Sequence, residues 1–325
     1  MIRKSSILIT GASGELGAEL IKTLSQNENI NLLTLDLHPL ESSISNMVAD
    51  EMVGNILDSR LLDQINLEFE IKEIYHLAAV LSTRAELSPK IAHDVNVNGT
   101  INLLELALKQ SQSQNKKIKF FFPSSIAVYG VNNKEQICSE YDCLHPITVY
   151  GANKLYAEKL GIYYSKYYNQ LSDNKHLIDF RSIRFPGLIS STTIPSGGTS
   201  DFIPEMWHSI KNENIYECFV DENSRLPFLA MPDAIKAINQ MMNMKPEKIK
   251  SKIYNVTSFN ASAGEFFKLM KELYLTAKIS YNINDTRQKI VNSWPSNIND
   301  SLATSEWGWS PAYDLNRTIR EYLKS

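Results

Sequence analysis

The stretch TVYGANKL, residues 148–155, sets a phenol, Tyr150, four positions before an ammonium, Lys154. On a helix, residues four apart share a face, with Cβ atoms ~5–6 Å apart. A phenol with a pKa near ~10 is a poor base at neutral pH, and a neighbouring positive charge favours its anion. The pair is therefore a candidate proton acceptor for an alcohol. Two hydroxyls, Ser124 and Ser125, close the apolar run of FFFPSSIAVYG upstream and would stand at the crevice beyond the carboxyl end of that strand. Tyrosine and lysine also recur at this spacing in ordinary amphipathic helices, so the neighbouring elements must decide.

The first of these is TGASGELG, which follows the run SILIT (6–10) and places Gly11, Gly14 and Gly17 at G-x-x-G-x-x-G spacing. A glycine turn between a strand and a helix lets the backbone approach a pyrophosphate, and the helix N-terminus offers N–H donors to the anion. Gly11, Ser13, Gly14, Glu15, Leu16 and Gly17 are the candidate cradle. Asp36 ends the next strand, 22 residues after Gly14. A carboxylate there accepts from ribose hydroxyls and repels a 2′-phosphate, which selects NAD over NADP. Leu37 beside it, Asn55 and Ile56 after the third strand, and Leu77, Ala78 and Ala79 after the fourth are the further cofactor candidates.

Positioning these groups requires a parallel sheet. Strands are expected at 6–10, 30–36, within NMVADEMVGN, at 73–79 and at 117–125, with helices at 14–26 and 98–110 between them. This alternation predicts an α/β fold with a doubly wound parallel sheet, helices on both faces and ligands beyond the carboxyl ends of the strands. QSQSQNKK (110–117) reads as a loop at a helix end, and QLSDNKHLID (170–179) as a surface insertion before the strand FRSIRF. From about residue 187 the pattern is less regular, with helices expected at 231–243, at 261–272 and over YDLNRTIREYLK. The expected division is a Rossmann domain over 1–186 and a smaller α/β substrate lobe over 187–325, with some chain crossing back to the sheet.

The bulk numbers set limits. A chain of 325 residues that is 43% hydrophobic and 21% charged, with net charge −3, is an ordinary soluble globular protein. No basic stripe points to nucleic acid. The N-terminus has only three consecutive apolar residues, Ile7 to Ile9, too few for a signal peptide, and no later run suits a bilayer; a cytoplasmic protein is expected. Cys138, Cys143 and Cys218 and six scattered histidines form no metal-ligand spacing, so no metal is expected.

Together these residues resemble the extended short-chain dehydrogenase/reductase superfamily over nearly the whole chain. More narrowly, HLAAVLS (76–82), PSSIAVYG (123–130), RFPGLIS (184–190), GGTSDF (197–202), LPFLAMPDAIKA (226–237), YNVTSF (254–259), WPSNIND (294–300) and SEWGWSPAYDLNRTI (305–319) resemble the L-threonine 3-dehydrogenases of that superfamily. The resemblance implies NAD-dependent oxidation of L-threonine at C3 to 2-amino-3-ketobutyrate. It implies Tyr150 as the base and Lys154 as the ribose ligand that depresses the tyrosine pKa. Ser125 would bond the reacting hydroxyl, and Pro186 and Leu188 would wall the nicotinamide. Ser82, Thr199 and Trp294 match positions lining the amino-acid pocket. Ala85, Phe185, Ser200 and Phe202 depart from residues usual in the family and put the pocket's selectivity in question. The resemblance also implies a homodimer through helices 98–110 and 150–168.

Other readings remain open here. A nucleotide-sugar epimerase or dehydratase shares the cradle and the Tyr/Lys pair, and would want cations for a diphosphate, for which Arg225 and Arg287 are available. A non-catalytic NAD(H) sensor commonly loses the tyrosine or lysine, and both are present. A zinc-dependent dehydrogenase lacks its ligands in this sequence.

Overall fold

Alternation along β1, Lys4–Thr10, sends Ile7 and Ile9 into one apolar cluster and Leu8 into another. Burial of every position from Ser6 onward is what a strand covered on both faces requires. The computed structural model describes residues 3–171, 178–195, 197–213 and 215–324. After β1 come β2 (Leu32–Asp36), β3 (Asp50–Val53), β4 (Phe69–His76), β5 (Lys119–Ser125) and β6 (Asp179–Phe185). Three more strands follow, β7 (Gly187–Ile189), β8 (Ile215–Cys218) and β9 (Arg225–Ala230), and then β10 (Ile253–Asn255). The main sheet has the order β10-β6-β5-β4-β1-β2-β3 with every neighbouring pair parallel, so the chain does return to the sheet after residue 187.

Its order reverses between β1 and β4, which both start from the centre and are extended in opposite directions. That is where a doubly wound sheet opens its ligand crevice. Outside the main sheet, β11 (Phe259–Ser262) pairs antiparallel with β9, and β9 pairs parallel with β7. The last strand, β12 (Lys278–Tyr281), lies parallel to β8. A third apolar cluster around Phe202, Trp207, Phe228 and Trp294 forms the core of this second part.

The helices expected at 14–26, 231–243 and 261–272 are Glu15–Leu24, Met231–Asn243 and Ala263–Leu273, the last opened by a Ser262/Glu265 capping box. The C-terminal helical stretch is Leu315–Arg317 followed by a π-helical turn, Thr318–Tyr322. A further helix, Ser59–Glu68, is capped by Asp58, which accepts from Arg60 N and Leu61 N.

The tract 110–117 is not a loop from its start. The helix Thr100–Gln114 runs through it and stops at Asn115, whose φ is 52°. The glutamines have structural partners there: Gln110 Oε1 accepts from Ile71 N at 3.0 Å, and Gln114 Nε2 donates to Ile71 O at 2.8 Å. Polar low-complexity sequence thus serves as a clamp on β4. Of the insertion expected at 170–179, residues 172–177 lie outside the described residues.

Candidate active site

The glycine turn is shaped by backbone geometry. Gly11 has φ +69°, and a Cβ there would stand 2.5 Å from Ala78 N, so no other residue fits without displacing the turn against β4. Gly14 caps the helix Glu15–Leu24 without any side-chain hydrogen bond. The first N–H groups of that helix have no intrahelical acceptor and are available to an anion. Asp36, at the end of β2, is held by two backbone donors: Ser13 N to Oδ2 and His38 N to Oδ1, both at 3.1 Å. Each oxygen keeps a lone pair for a ribose hydroxyl. This turn, helix end and fixed carboxylate fit the pyrophosphate and adenosine ribose of NAD.

The remaining cofactor candidates are placed unevenly. Leu37 is exposed beside Asp36. Asn55 is exposed, with its Oδ1 accepting from Leu57 N at 2.9 Å. The Ile56 side chain is a buried core residue, and its carbonyl accepts from Asn102 Nδ2 at 3.1 Å. Leu77, Ala78 and Ala79 continue β4 opposite Gly11 and are half-buried, with Leu77 N donating to Thr10 O at 3.0 Å. Pro186 is buried and Leu188 half-buried at the start of β7.

Below Ala78 lies a polar chain that the sequence does not reveal. Thr100 Oγ1 donates to Asn96 O at 2.7 Å, so it accepts from His76 Nε2 at 3.0 Å, leaving His76 Nδ1 to accept from Thr10 Oγ1 at 2.8 Å. Burial brings the imidazole down to about 3, so it stays neutral.

Tyr150 and Lys154 lie on one face of the helix Val149–Lys166, capped by Thr148, whose Oγ1 accepts from Gly151 N at 3.0 Å. Gly151 has no alternative: a Cβ there would meet Ala127 O at 2.0 Å, and this close approach sets the helix against the end of β5. Lys154 Nζ donates to Pro123 O at 2.7 Å and lies 4.5 Å from the centre of the Phe122 ring and 5.5 Å from that of Tyr150. The Ser125 hydroxyl is near enough to that of Tyr150 to lower its pKa, and Ser125 Oγ accepts from Ala127 N at 3.1 Å.

The electrostatics differ from the expectation. Although its ring is only half-buried by area, burial of the Tyr150 hydroxyl raises its pKa above 10, with Ser125 pulling the other way. Burial also brings Lys154 down to about 7, and Glu158 opposes that shift. Among the chain's own groups, the lysine does not overcome the desolvation of the phenol.

In the second part, Ser82 and Thr199 are brought together: Thr199 N donates to Ser82 Oγ at 3.4 Å, and Thr83 Oγ1 donates to Gly197 O at 2.6 Å. Trp294 is buried in the same apolar cluster that Tyr150 packs against, and its indole N–H has no protein acceptor. Ala85, Phe185 and Phe202 are buried packing residues, with Phe202 edge-on to Phe228 at 5.6 Å; only Ser200 is half-exposed. The arginines available to a diphosphate are both engaged. Arg225 pairs with Glu265 and Asn260. Arg287 lies on the Phe219 ring, donates to Gly198 O at 2.5 Å and pairs with Glu205 at 3.5 Å.

Two residues at the site's back wall, Glu158 and Arg184, went unnoticed in the sequence. Arg184 Nη2 meets Glu158 Oε2 at 2.7 Å with both side chains buried. The signal was present: arginines at 181 and 184 lie in the short strand FRSIRF, where they must find buried partners. Arg181 does so with Asp179 and the carbonyls of Met242 and Met244, closing the helix Met231–Asn243. Among the described residues no group of three or more histidines, cysteines or carboxylates is placed to hold a metal ion, and no helix is long and apolar enough to cross a membrane.

Residues 7–257 match the NAD dependent epimerase/dehydratase family. An uncharacterized epimerase/dehydratase of Staphylococcus saprophyticus is 32% identical over 321 residues, which is 98% of this chain and 95% of that one. Among solved structures, a monomeric L-threonine 3-dehydrogenase from a metagenome superposes with TM-score 0.87 at 36% identity, covering 98% of this chain and 97% of its own. The holo form of a GalE-like L-threonine dehydrogenase from Cupriavidus necator superposes with TM-score 0.88 at 31% identity, covering 98% and 99%. With a seven-stranded parallel sheet, a glycine cradle and an acid at the end of β2, the chain belongs to the NAD dependent epimerase/dehydratase family of extended short-chain dehydrogenases and is an NAD-dependent oxidoreductase.

Proposed function

We propose that the protein oxidises L-threonine at C3 to 2-amino-3-ketobutyrate, with Tyr150 as the base. The observation that carries this reading is the constellation at the end of β5, where Ser125 stands near enough to Tyr150 to lower the phenol's pKa and Lys154 is fixed on Pro123 O. When bound, NAD⁺ supplies the hydride acceptor for the C3 hydrogen and a positive charge that favours the phenolate. Tyr150 then takes the C3 hydroxyl proton while Ser125 holds that oxygen, so the C3–H electron pair leaves as hydride and C3 becomes a ketone. Lys154 binds the nicotinamide ribose. Pro186 and Leu188 wall the ring, and Gly11, Ser13, Gly14, Glu15, Leu16 and Gly17 hold the pyrophosphate. Asp36 and Leu37 hold the adenosine ribose, with Asn55, Ile56, Leu77, Ala78 and Ala79 along the adenine side.

Ser82, Thr199 and Trp294 line the pocket for the amino acid in this reading, and the buried indole N–H of Trp294 has no protein acceptor. The engagement of Arg225 and Arg287 with carboxylates of the chain speaks against a nucleotide diphosphate in the same place. The similar structures are themselves described as L-threonine dehydrogenases. The test is to incubate the protein with NAD⁺ and either L-threonine or UDP-glucose. We expect NADH absorbance to rise with L-threonine alone. UDP-sugar conversion without NADH from L-threonine would overturn the reading.

A further inference from the structure

Three successive turns of the helix Val149–Lys166 each hold one residue of the strand end Pro123–Ser124–Ser125. Tyr150 faces Ser125, whose hydroxyl lowers the phenol's pKa, Lys154 Nζ donates to Pro123 O at 2.7 Å, and Ser124 Oγ donates to Glu158 Oε1 at 2.5 Å. The spacing of four keeps all three grips on one helix face. The first two involve groups already given a role in the reaction. The third does not.

We propose that Glu158 is a positioning residue: by holding Ser124 it fixes the Ser125 hydroxyl against Tyr150, and through Arg184 it ties that geometry to the second part of the chain. The proposal rests on the reading of Ser125 and Tyr150 as the reacting pair.

Glu158 is fully buried and both of its oxygens are committed. Arg184 Nε donates to Oε1 and Arg184 Nη2 to Oε2, each at 2.7 Å, a planar two-point contact that prevents the carboxylate from rotating. Arg184 Nη1 continues the chain to Tyr129 OH at 2.9 Å and to Glu140 O at 2.7 Å. Tyr129 OH reaches Asn255 Oδ1 at 2.7 Å, and Asn255 Nδ2 donates to Asn299 O at 3.0 Å. Asn299 lies in WPSNIND, the segment that begins with Trp294. A line of polar contacts, buried as far as Asn255, therefore joins Ser124 to the segment that carries the proposed pocket tryptophan.

A hydroxyl so gripped fixes the peptide between Ser124 and Ser125, and Ser125 Oγ is fixed a second time by Ala127 N. An ångström of displacement of a reacting group costs a rate factor of roughly a hundred. Were Glu158 only the counter-charge of Arg184, loosening Ser124 would leave the chemistry unchanged.

Ser124→Ala removes the grip and leaves the Glu158–Arg184 pair in place. For this variant we expect kcat with L-threonine to fall by roughly ten- to a hundredfold. KM for L-threonine and the Kd for NADH should stay within about twofold of wild type, since the proposed pocket and cradle are untouched. Hydrogen–deuterium exchange of the NADH complex should speed up over 125–128, where Ala127 N is bonded to Ser125, and nowhere else. Glu158→Gln, which cannot present two acceptors to Arg184 and one to Ser124 at once, should show the same local exchange and also a higher KM. Unchanged exchange at 125–128, or an unchanged kcat with only the melting temperature lowered, overturns the proposal. The exchange measurement does not depend on which alcohol is oxidised, so a wild-type protein inactive toward L-threonine would defeat the functional reading and leave exchange to decide this one.

Discussion

The NAD cradle and the proposed alcohol pocket are built in opposite ways. The cradle is made of backbone held over short sequence distances, with Ser13 N on Asp36 at a separation of 23 residues. The pocket is made of side chains gathered from afar: Thr199 meets Ser82 across 117 positions, Thr83 meets Gly197 across 114, and Arg287 meets Gly198 across 89. A cradle fixed by turn sterics tolerates almost no change at a few positions and much change elsewhere. A pocket fixed by pairwise contacts tolerates more at each position, and can be retuned for a new alcohol without disturbing the dinucleotide. Damage to the two regions should accordingly separate: Kd for NAD from the first, KM for the alcohol from the second.

The largest effect falls where the regions meet. Tyr150→Phe should lower kcat by about 10²–10⁴-fold, because general-base catalysis typically contributes that much, while NADH binding followed by fluorescence changes little. Next, Gly11→Ala drives a Cβ into Ala78 at a positive φ. It should cost roughly 1–3 kcal/mol of stability by thermal or urea unfolding and raise the NAD Kd by on the order of tenfold or more, since the backbone can no longer approach the pyrophosphate. Equal losses in Kd and in KM for the alcohol would show that the two regions are not separable.

The first of these regions was legible in the sequence because its signal is local. A glycine triplet after SILIT, an acid at the end of the next strand and a serine pair ending the fifth needed only strand and helix periodicity to be placed together. The second region was legible only through family resemblance, since nothing in GGTSDF or WPSNIND announces that Ser82 and Thr199 touch. Electrostatics read least well. The i,i+4 spacing of Tyr150 and Lys154 suggested that the ammonium dominates, yet burial of both groups moves the phenol up and the lysine down. Spacing reports proximity; desolvation depends on the whole fold. QSQSQNKK misled for a related reason, as its glutamines bond β4, a partner far away in sequence.

Smaller effects sharpen the comparison. Asp36→Ala removes an acceptor of two backbone N–H groups and the proposed ribose ligand. Hydrogen bonds to charged groups contribute about 1.5–3 kcal/mol, so the Kd for NAD should rise by about tenfold or more and the preference over NADP should narrow; titration with both dinucleotides checks this. Arg287→Ala releases Gly198 and Glu205 and should raise KM for L-threonine by roughly tenfold without moving the NAD Kd.

The smallest is a pH effect at the junction of the two regions. Burial raises Glu15 to about 7 from its usual 4.5, with the nearby Ser190 hydroxyl pulling the other way. A carboxyl with a raised folded pKa stabilises the fold fully below about 4.5, and this contribution is lost as pH rises through about 7. The melting temperature of the wild type should therefore fall between pH 5 and 8 by more than that of Glu15→Gln. Parallel curves would remove Glu15 from the account.

The most direct measurement follows the hydrogen itself. L-Threonine deuterated at C3 is incubated with NAD⁺ and the reduced nicotinamide is examined for deuterium at C4. Transfer of the label by the wild-type protein, with transfer by Tyr150→Phe slower by at least about a hundredfold, is the predicted result. Reduced nicotinamide without deuterium at C4, or undiminished transfer by Tyr150→Phe, would contradict it.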